Sequence, residues 1–168
     1  TYTVKTGSTG TLDAANLPKT VGTYYVTATY EDNDNVGSKT VELTIGPKDV
    51  TVSGITAANK VYDGKNTAAV NADGATFTGK VDGDELTITA TGTFTDANVG
   101  NDKTVNLTLG ALGGTSVANY TLATNGNQTT TTANITARDL TIKPEPNQSK
   151  KFGDADPTML SYLPTGAV

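Results

Sequence analysis

The feature that most constrains this chain is a two-residue hydrophobic alternation, broken at short intervals by Gly and Asn/Asp clusters. Successive side chains of a strand point to opposite faces, so this period belongs to a half-buried β-strand rather than a helix. Over Thr23 to Glu31, Tyr24, Val26, Ala28 and Tyr30 share one face, and Tyr25, Thr27 and Thr29 the other. The pattern returns in Val41, Leu43 and Ile45, and then in Val50 and Val52. It continues in Leu86 and Ile88 leading to Phe94, in Val105, Leu107 and Leu109, and in Leu140 and Ile142. Thr fills most outward positions, where its β-branch suits a pleated strand and its hydroxyl meets water. With 34 Thr among 168 residues, the outward faces are polar without being densely charged. Turn residues separate the runs at Asp32-Asn33-Asp34-Asn35, Asp82-Gly83-Asp84, Asn98-Val99-Gly100-Asn101, Gly113-Gly114 and Asn125-Gly126-Asn127. Only Asp13 to Leu17, ahead of Pro18, has room for a single helical turn. The expectation is an all-β chain of short antiparallel strands.

The chain also repeats. At an offset of 90 residues, Ile45, Asp49, Thr51 and Lys60 recur as Ile135, Asp139, Thr141 and Lys150. Lys48, Val50, Val52 and Tyr62 have conservative partners in Arg138, Leu140, Ile142 and Phe152. A second echo links Asn35-Val36-Gly37 and Lys39-Thr40-Val41 to Asn98-Val99-Gly100 and Lys103-Thr104-Val105. The repeat predicts one complete unit over 47–136, preceded by the end of another unit (1–46) and followed by the start of a third (137–168). Thr44 to Ser53 is expected to stay strand-like through the first junction, which leaves almost no linker. Tandem small antiparallel β-sandwiches, Ig-like or β-grasp-like, in an elongated array are the expected architecture. Because the chain begins at Thr1, it reads as a piece of something larger.

Composition excludes several classes of function. There is no Cys, so no disulfide framework, thiolate metal site or Cys nucleophile. The lack of His removes the commonest general base and zinc ligand. A net charge of −5 argues against nucleic acid or an anionic membrane as a partner. No apolar run is long enough to insert in a bilayer.

The stretch Asn59-Lys60-Val61-Tyr62-Asp63-Gly64-Lys65-Asn66-Thr67-Ala68 resembles the opening of the bacterial YDG repeat domain. The likeness continues through Gly92-Thr93-Phe94-Thr95-Asp96-Ala97-Asn98-Val99-Gly100, through Ala118-Asn119-Tyr120-Thr121-Leu122, and through Ala133-Asn134-Ile135-Thr136-Ala137-Arg138-Asp139-Leu140. Lys151-Phe152-Gly153-Asp154-Ala155-Asp156-Pro157 resembles the start of the related MBG domain, with Phe152 where Tyr is usual. Leu17-Pro18 with Gly22-Thr23-Tyr24-Tyr25-Val26 is similar to the end of bacterial Ig-like or MBG-like surface repeats. The resemblance implies a large, exported, multi-repeat adhesin. It places the chain outside the cell, at the bacterial surface, with neighbouring repeats of the same chain as its first partners.

Each candidate site has a structural alternative. Tyr62-Asp63-Gly64 suits a sugar surface, but equally a core plug followed by a turn; Phe152 at the matching position favours packing. Asp32, Asp34, Asp82 and Asp84 lie in oxygen-rich loops of the kind a calcium ion requires, and calcium there would stiffen the array. Val36 and Leu43 stand where a calcium loop needs its further ligands. The pairs Asp84/Glu85 and Asp154/Asp156 have glycosidase residue types, yet adjacent strand residues point apart and no Trp is present to build a cleft. The Asn-x-Thr/Ser triplets follow from abundant Thr, and Thr129 to Thr132 leads into Ala133 and Ile135 as a strand edge would. A Lys–Asn isopeptide crosslink would need three groups buried together, which intact mass would reveal. No catalytic residue is expected. The leading expectation is a structural stalk that projects an adhesive region and supports cell adhesion or biofilm formation. The alternative is direct binding of polysaccharide or host glycan, or self-association, through Tyr25, Tyr30 or Tyr120, with Tyr162 a further candidate.

Overall fold

Alternating runs become strands over about half of the chain, and the buried positions among them are aliphatic or aromatic. The computed structural model describes residues 2–4, 10–156, 159 and 161–167. Its strands are β1 (Tyr2–Val4), β2 (Gly22–Glu31), β3 (Val36–Ile45), β4 (Lys48–Ser53), β5 (Thr56–Ala57), β6 (Lys60–Val61), β7 (Thr67–Ala68) and β8 (Val70–Asn71). They continue as β9 (Thr76–Thr78), β10 (Thr87–Phe94), β11 (Gly100–Gly113), β12 (Tyr120–Leu122), β13 (Thr130–Thr136), β14 (Thr141–Pro144) and β15 (Tyr162–Thr165). Among the described residues the only helical element is a 3-10 turn over Val117–Asn119. The chain is all-β. Asp13 to Leu17 forms a tight turn, not a helix, with Asp13 Oδ1 accepting the Ala15 and Leu17 N–H groups at 2.9 Å each.

Two compact units result, residues 1–55, 72–89 and 109–128 in one, and 56–71, 90–108 and 129–168 in the other. In the first, β2 lies between β1 and β3 in an antiparallel sheet, with Tyr24 opposite Leu43 and Val26 opposite Val41. Burial fades along this hairpin. Tyr24 is fully buried, whereas Tyr30, Val36 and Val41 at and towards its far end are exposed. A second sheet has the order β12-β4-β9. Val50, Val52, Ile55, Ile88 and Tyr120 are the buried apolar side chains of this part of the unit.

Beyond β12, side-chain amides substitute for strand backbone. Asn127 Oδ1 accepts the Val52 N–H at 3.0 Å, and the Gln128 amide both accepts from and donates to the Ile55 backbone at 2.8 Å. Buried peptide groups require partners, and here Asn127 and Gln128 supply them.

In the second unit, a five-stranded sheet runs β6-β13-β11-β10-β7, with β10 and β11 also contributing residues to the first unit. Its core is Phe94, Val105, Ala133 and Ile135, against which Ala57, Tyr62, Ala68 and Leu107 pack. Strands β5 and β8 pair with each other, as do β14 and β15.

Two expectations need correction. The strands are not all antiparallel, because β12 runs parallel to β4, pairing Tyr120 with Lys48, and β13 parallel to β6, pairing Ile135 with Lys60. Alternation reports which face a residue takes and is silent on strand direction. Parallel neighbours need long crossovers, and here most of the family-like segment provides them. Nor does strand continue from Thr44 to Ser53. It breaks at Gly46 and Pro47, where proline has no N–H to offer a ladder.

Candidate functional site

The motif residues converge on a corner in the second unit. Strand β6 delivers Lys60 beside β13, and the Tyr62 N–H donates to the Thr136 carbonyl at 2.9 Å. That register turns the Tyr62 ring onto the Phe94 cluster. Asp63 then makes an Asx-type turn, its Oδ1 accepting the Lys65 N–H at 2.9 Å, and Gly64 takes a φ of +74° that an L side chain adopts only with strain. Lys60 locks the corner. Its Nζ donates to Asp63 Oδ1 at 2.7 Å and to the Lys65 carbonyl at 2.6 Å, and lies 5.6 Å from the centre of the Phe94 ring, within cation–π range. The acid and the base of this motif act on their own loop, and the aromatic packs on the core.

A second clamp follows from the Phe94-to-Gly100 motif. Asp96 Oδ1 accepts the Asn98 N–H and the Lys103 ammonium at 2.7 Å each, tying the β10–β11 connection together. Around Lys150, the offset counterpart of Lys60, the same device recurs: Nζ contacts the Asp156 carboxylate and the Asp154 carbonyl. Phe152 is fully exposed there, unlike Tyr62. The final residue of the MBG-like stretch, Pro157, lies outside the described residues.

The third motif builds a corner in the first unit. Tyr120 is 6% exposed; its hydroxyl donates to Asp84 Oδ2 at 2.5 Å and accepts the Val81 N–H at 3.0 Å. Little of its ring is exposed. Tyr25 is half-buried and Tyr30 exposed, and they project from opposite faces of β2, so they form no common aromatic patch. Tyr162 is exposed on β15.

Of the two acidic loops, the first is turned on itself. Asp32 Oδ1 accepts from the Asp34 N–H, the Asn35 N–H and the Asn35 side chain, and the other oxygen holds the Tyr30 hydroxyl. Asp34 and Asp82 are exposed, and Asp84 is committed to Tyr120. No group of three or more His, Cys, Asp or Glu able to hold a metal ion occurs among the described residues. The carboxylate of Glu85 accepts the Thr115 hydroxyl at 3.2 Å, so this pair is split between two turns. Among the described residues every buried side-chain nitrogen or oxygen has a hydrogen-bond partner.

These contacts set a pH response. The Tyr30 hydroxyl, aided by the neighbouring N–H groups, lowers the Asp32 carboxyl to about 2. Lys60, then the Lys65 N–H, lowers Asp63; Lys103, then the Asn98 N–H, lowers Asp96. A carboxyl lowered on folding contributes stability above its unfolded value of about 3.9 and loses it as pH falls through the folded value. Burial, then Asp84, raises Tyr120. That contribution is complete below about pH 10 and fades above it. Thermal melts followed by circular dichroism are expected to be flat from pH 5 to 9 and to fall below pH 4 and above pH 10. A midpoint that drops between pH 7 and 5 would contradict these assignments.

Sequence reasoning missed Asn119, Asn127, Gln128 and the Asp96–Lys103 pair as structural groups. The advance signal was that Asn119 and Asp96 lay inside the motifs and Lys103 inside the second internal echo. Comparison with characterised proteins and with solved structures finds no match. The profile of the YDG domain does match, over residues 46–133, which includes the Lys60–Gly64 corner, the Asp96 clamp and the Tyr120 corner. The chain belongs to the YDG domain family.

Proposed function

We propose that this chain is a spacer segment of a large bacterial cell-surface or secreted adhesin, non-catalytic in itself, that holds an adhesive region away from the cell and so supports adhesion or biofilm formation. One observation carries the reading: the side chains of the family-like motifs bond or pack within the fold. Lys60, Asp63, Asp96, Lys103 and Tyr120 each bond within the fold, and Tyr62 packs on the core. A binding or catalytic motif leaves such groups facing a cleft.

The tandem reading belongs with this proposal: residues 1–46 end an Ig-like or MBG-like sandwich, 47–136 form the YDG unit, and 137–168 begin an MBG-like unit. Two features support it. The Tyr24 hydroxyl bonds to the Thr20 carbonyl four residues upstream, as the tyrosine corner of Ig-like sandwiches does. The apolar residues Val36 and Val41 before the YDG segment, and Leu140, Ile142 and Phe152 after it, are exposed as they would be with part of their domain missing.

Replacing residues 47–136 in the parent protein by an unrelated rigid β-sandwich of equal length tests the function. Adhesion is expected to survive replacement and to weaken on deletion. Adhesion abolished equally by both would show that the segment itself binds.

A further inference from the structure

Two attachments of residues 10–46 to the YDG segment stand out among the described residues. The first is the chain itself, with Gly46 and Pro47 between β3 and β4. Pro47 fixes its own φ and narrows the choices of Gly46, but a Cβ on Gly46 would meet nothing within 4 Å, so packing does not hold this hinge. The second is a hydrogen bond between residues 98 apart in sequence, from the Val21 N–H to Asn119 Oδ1 at 3.0 Å.

Both ends of that bond are held from behind. Next to Val21, the Thr20 carbonyl lies 2.5 Å from the hydroxyl of fully buried Tyr24, which also accepts the Thr20 N–H at 3.2 Å. On the other side, the Asn119 N–H donates to the Ser116 carbonyl at 3.0 Å and closes the 3-10 turn. The next residue, Tyr120, is fixed by Asp84 and Val81. Beside the bond is a cavity of about 300 Å³, lined by Val21 and Ile45 from the hairpin and by Val81, Asp84, Asn119 and Tyr120 from the YDG segment.

We propose that Asn119, Tyr120 and Val81 form a docking socket for the end of the preceding repeat in the same chain, with Asn119 as the residue that fixes the angle between the two. A body held only at Gly46 can rotate about that hinge; a second tie at Val21 stops the rotation. The occupant is the loop before β2 together with the end of β3, the segments already seated there. The inference rests on the spacer reading, to which it adds the means by which one junction resists bending.

The test compares the full chain with Asn119→Ala and Asn119→Asp by amide hydrogen exchange and residual dipolar couplings. In the parent chain the Val21 amide is expected to be protected, with one alignment tensor fitting 10–46 and the YDG residues of the same unit, 47–55, 72–89 and 109–128. In Asn119→Ala, Val21 exchange is expected to rise about tenfold, as loss of one bond at a two-point joint implies. The two segments then need separate tensors, while amides of Val52 and Tyr25 keep their protection. Asn119→Asp retains the acceptor and is expected to behave like the parent. Unchanged Val21 exchange with a single tensor in Asn119→Ala would overturn the joint, as would loss of Val52 protection in both variants, which would make Asn119 a folding residue. The spacer reading fails separately, if replacing the whole segment abolishes adhesion while this joint behaves as described.

Discussion

Phe94→Ala is expected to cost about 3–5 kcal/mol of stability, the range for deleting a large buried aromatic side chain. Phe94 is 1% exposed, at the centre of the cluster with Val105, Ala133 and Ile135, and carries Lys60 over its ring. Truncation removes side-chain packing from this cluster and the face on which the lysine rests. A domain of this size has about 5–15 kcal/mol in total, so the variant should lie near its unfolding threshold under mild denaturant. The informative companion is Tyr62→Phe. Because Tyr62 packs on the same cluster, and its matching residue Phe152 has no hydroxyl, this change is expected to shift stability by less than about 0.5 kcal/mol. Urea denaturation of the two variants measures both. A costly Tyr62→Phe would mean that the hydroxyl has a task the packing account omits.

Gly114→Ala is expected to cost roughly 2–5 kcal/mol, the sum of backbone strain and overpacking, or of order ten degrees in melting temperature. Gly114 has a φ of +101°, and a Cβ there would lie 2.4 Å from the Glu85 carbonyl oxygen and 2.8 Å from Leu86 Cα. These are backbone atoms, which cannot rotate aside. The same turn is stitched to Glu85 by the Ser116 N–H and the Thr115 hydroxyl. By contrast, Gly74→Ala meets nothing within 4 Å at an ordinary φ and should be close to neutral. Equal melting temperatures for the two variants would refute the argument.

What was legible in the sequence was local. Alternation placed Phe94 and Val105 inward and the intervening Thr outward because a strand's two faces are written in its period. The Asp63-Gly64 turn and the inward Tyr62 could be read from turn chemistry and from Phe152. Strand direction could not, since Lys48–Val50 and Tyr120–Leu122 meet across a long crossover that leaves no periodic trace. The amides of Asn127 and Gln128 look like turn residues because their task, completing the edge of β4, exists only once the chain has folded back. Tyr120 illustrates the same limit in the candidate sites. A tyrosine beside a turn reads as a surface aromatic until the distant Asp84 and Val81 are seen to enclose its hydroxyl.

Small-angle scattering from arrays of one, two and three copies of residues 47–136 tests the central claim most directly. If the units hold distance, the maximum dimension should rise by a constant increment of about 25–35 Å per copy, the length of a strand layer, with a distance distribution typical of a rod. A dimension that levels off as copies are added, or the broad distribution of freely jointed beads, would contradict it.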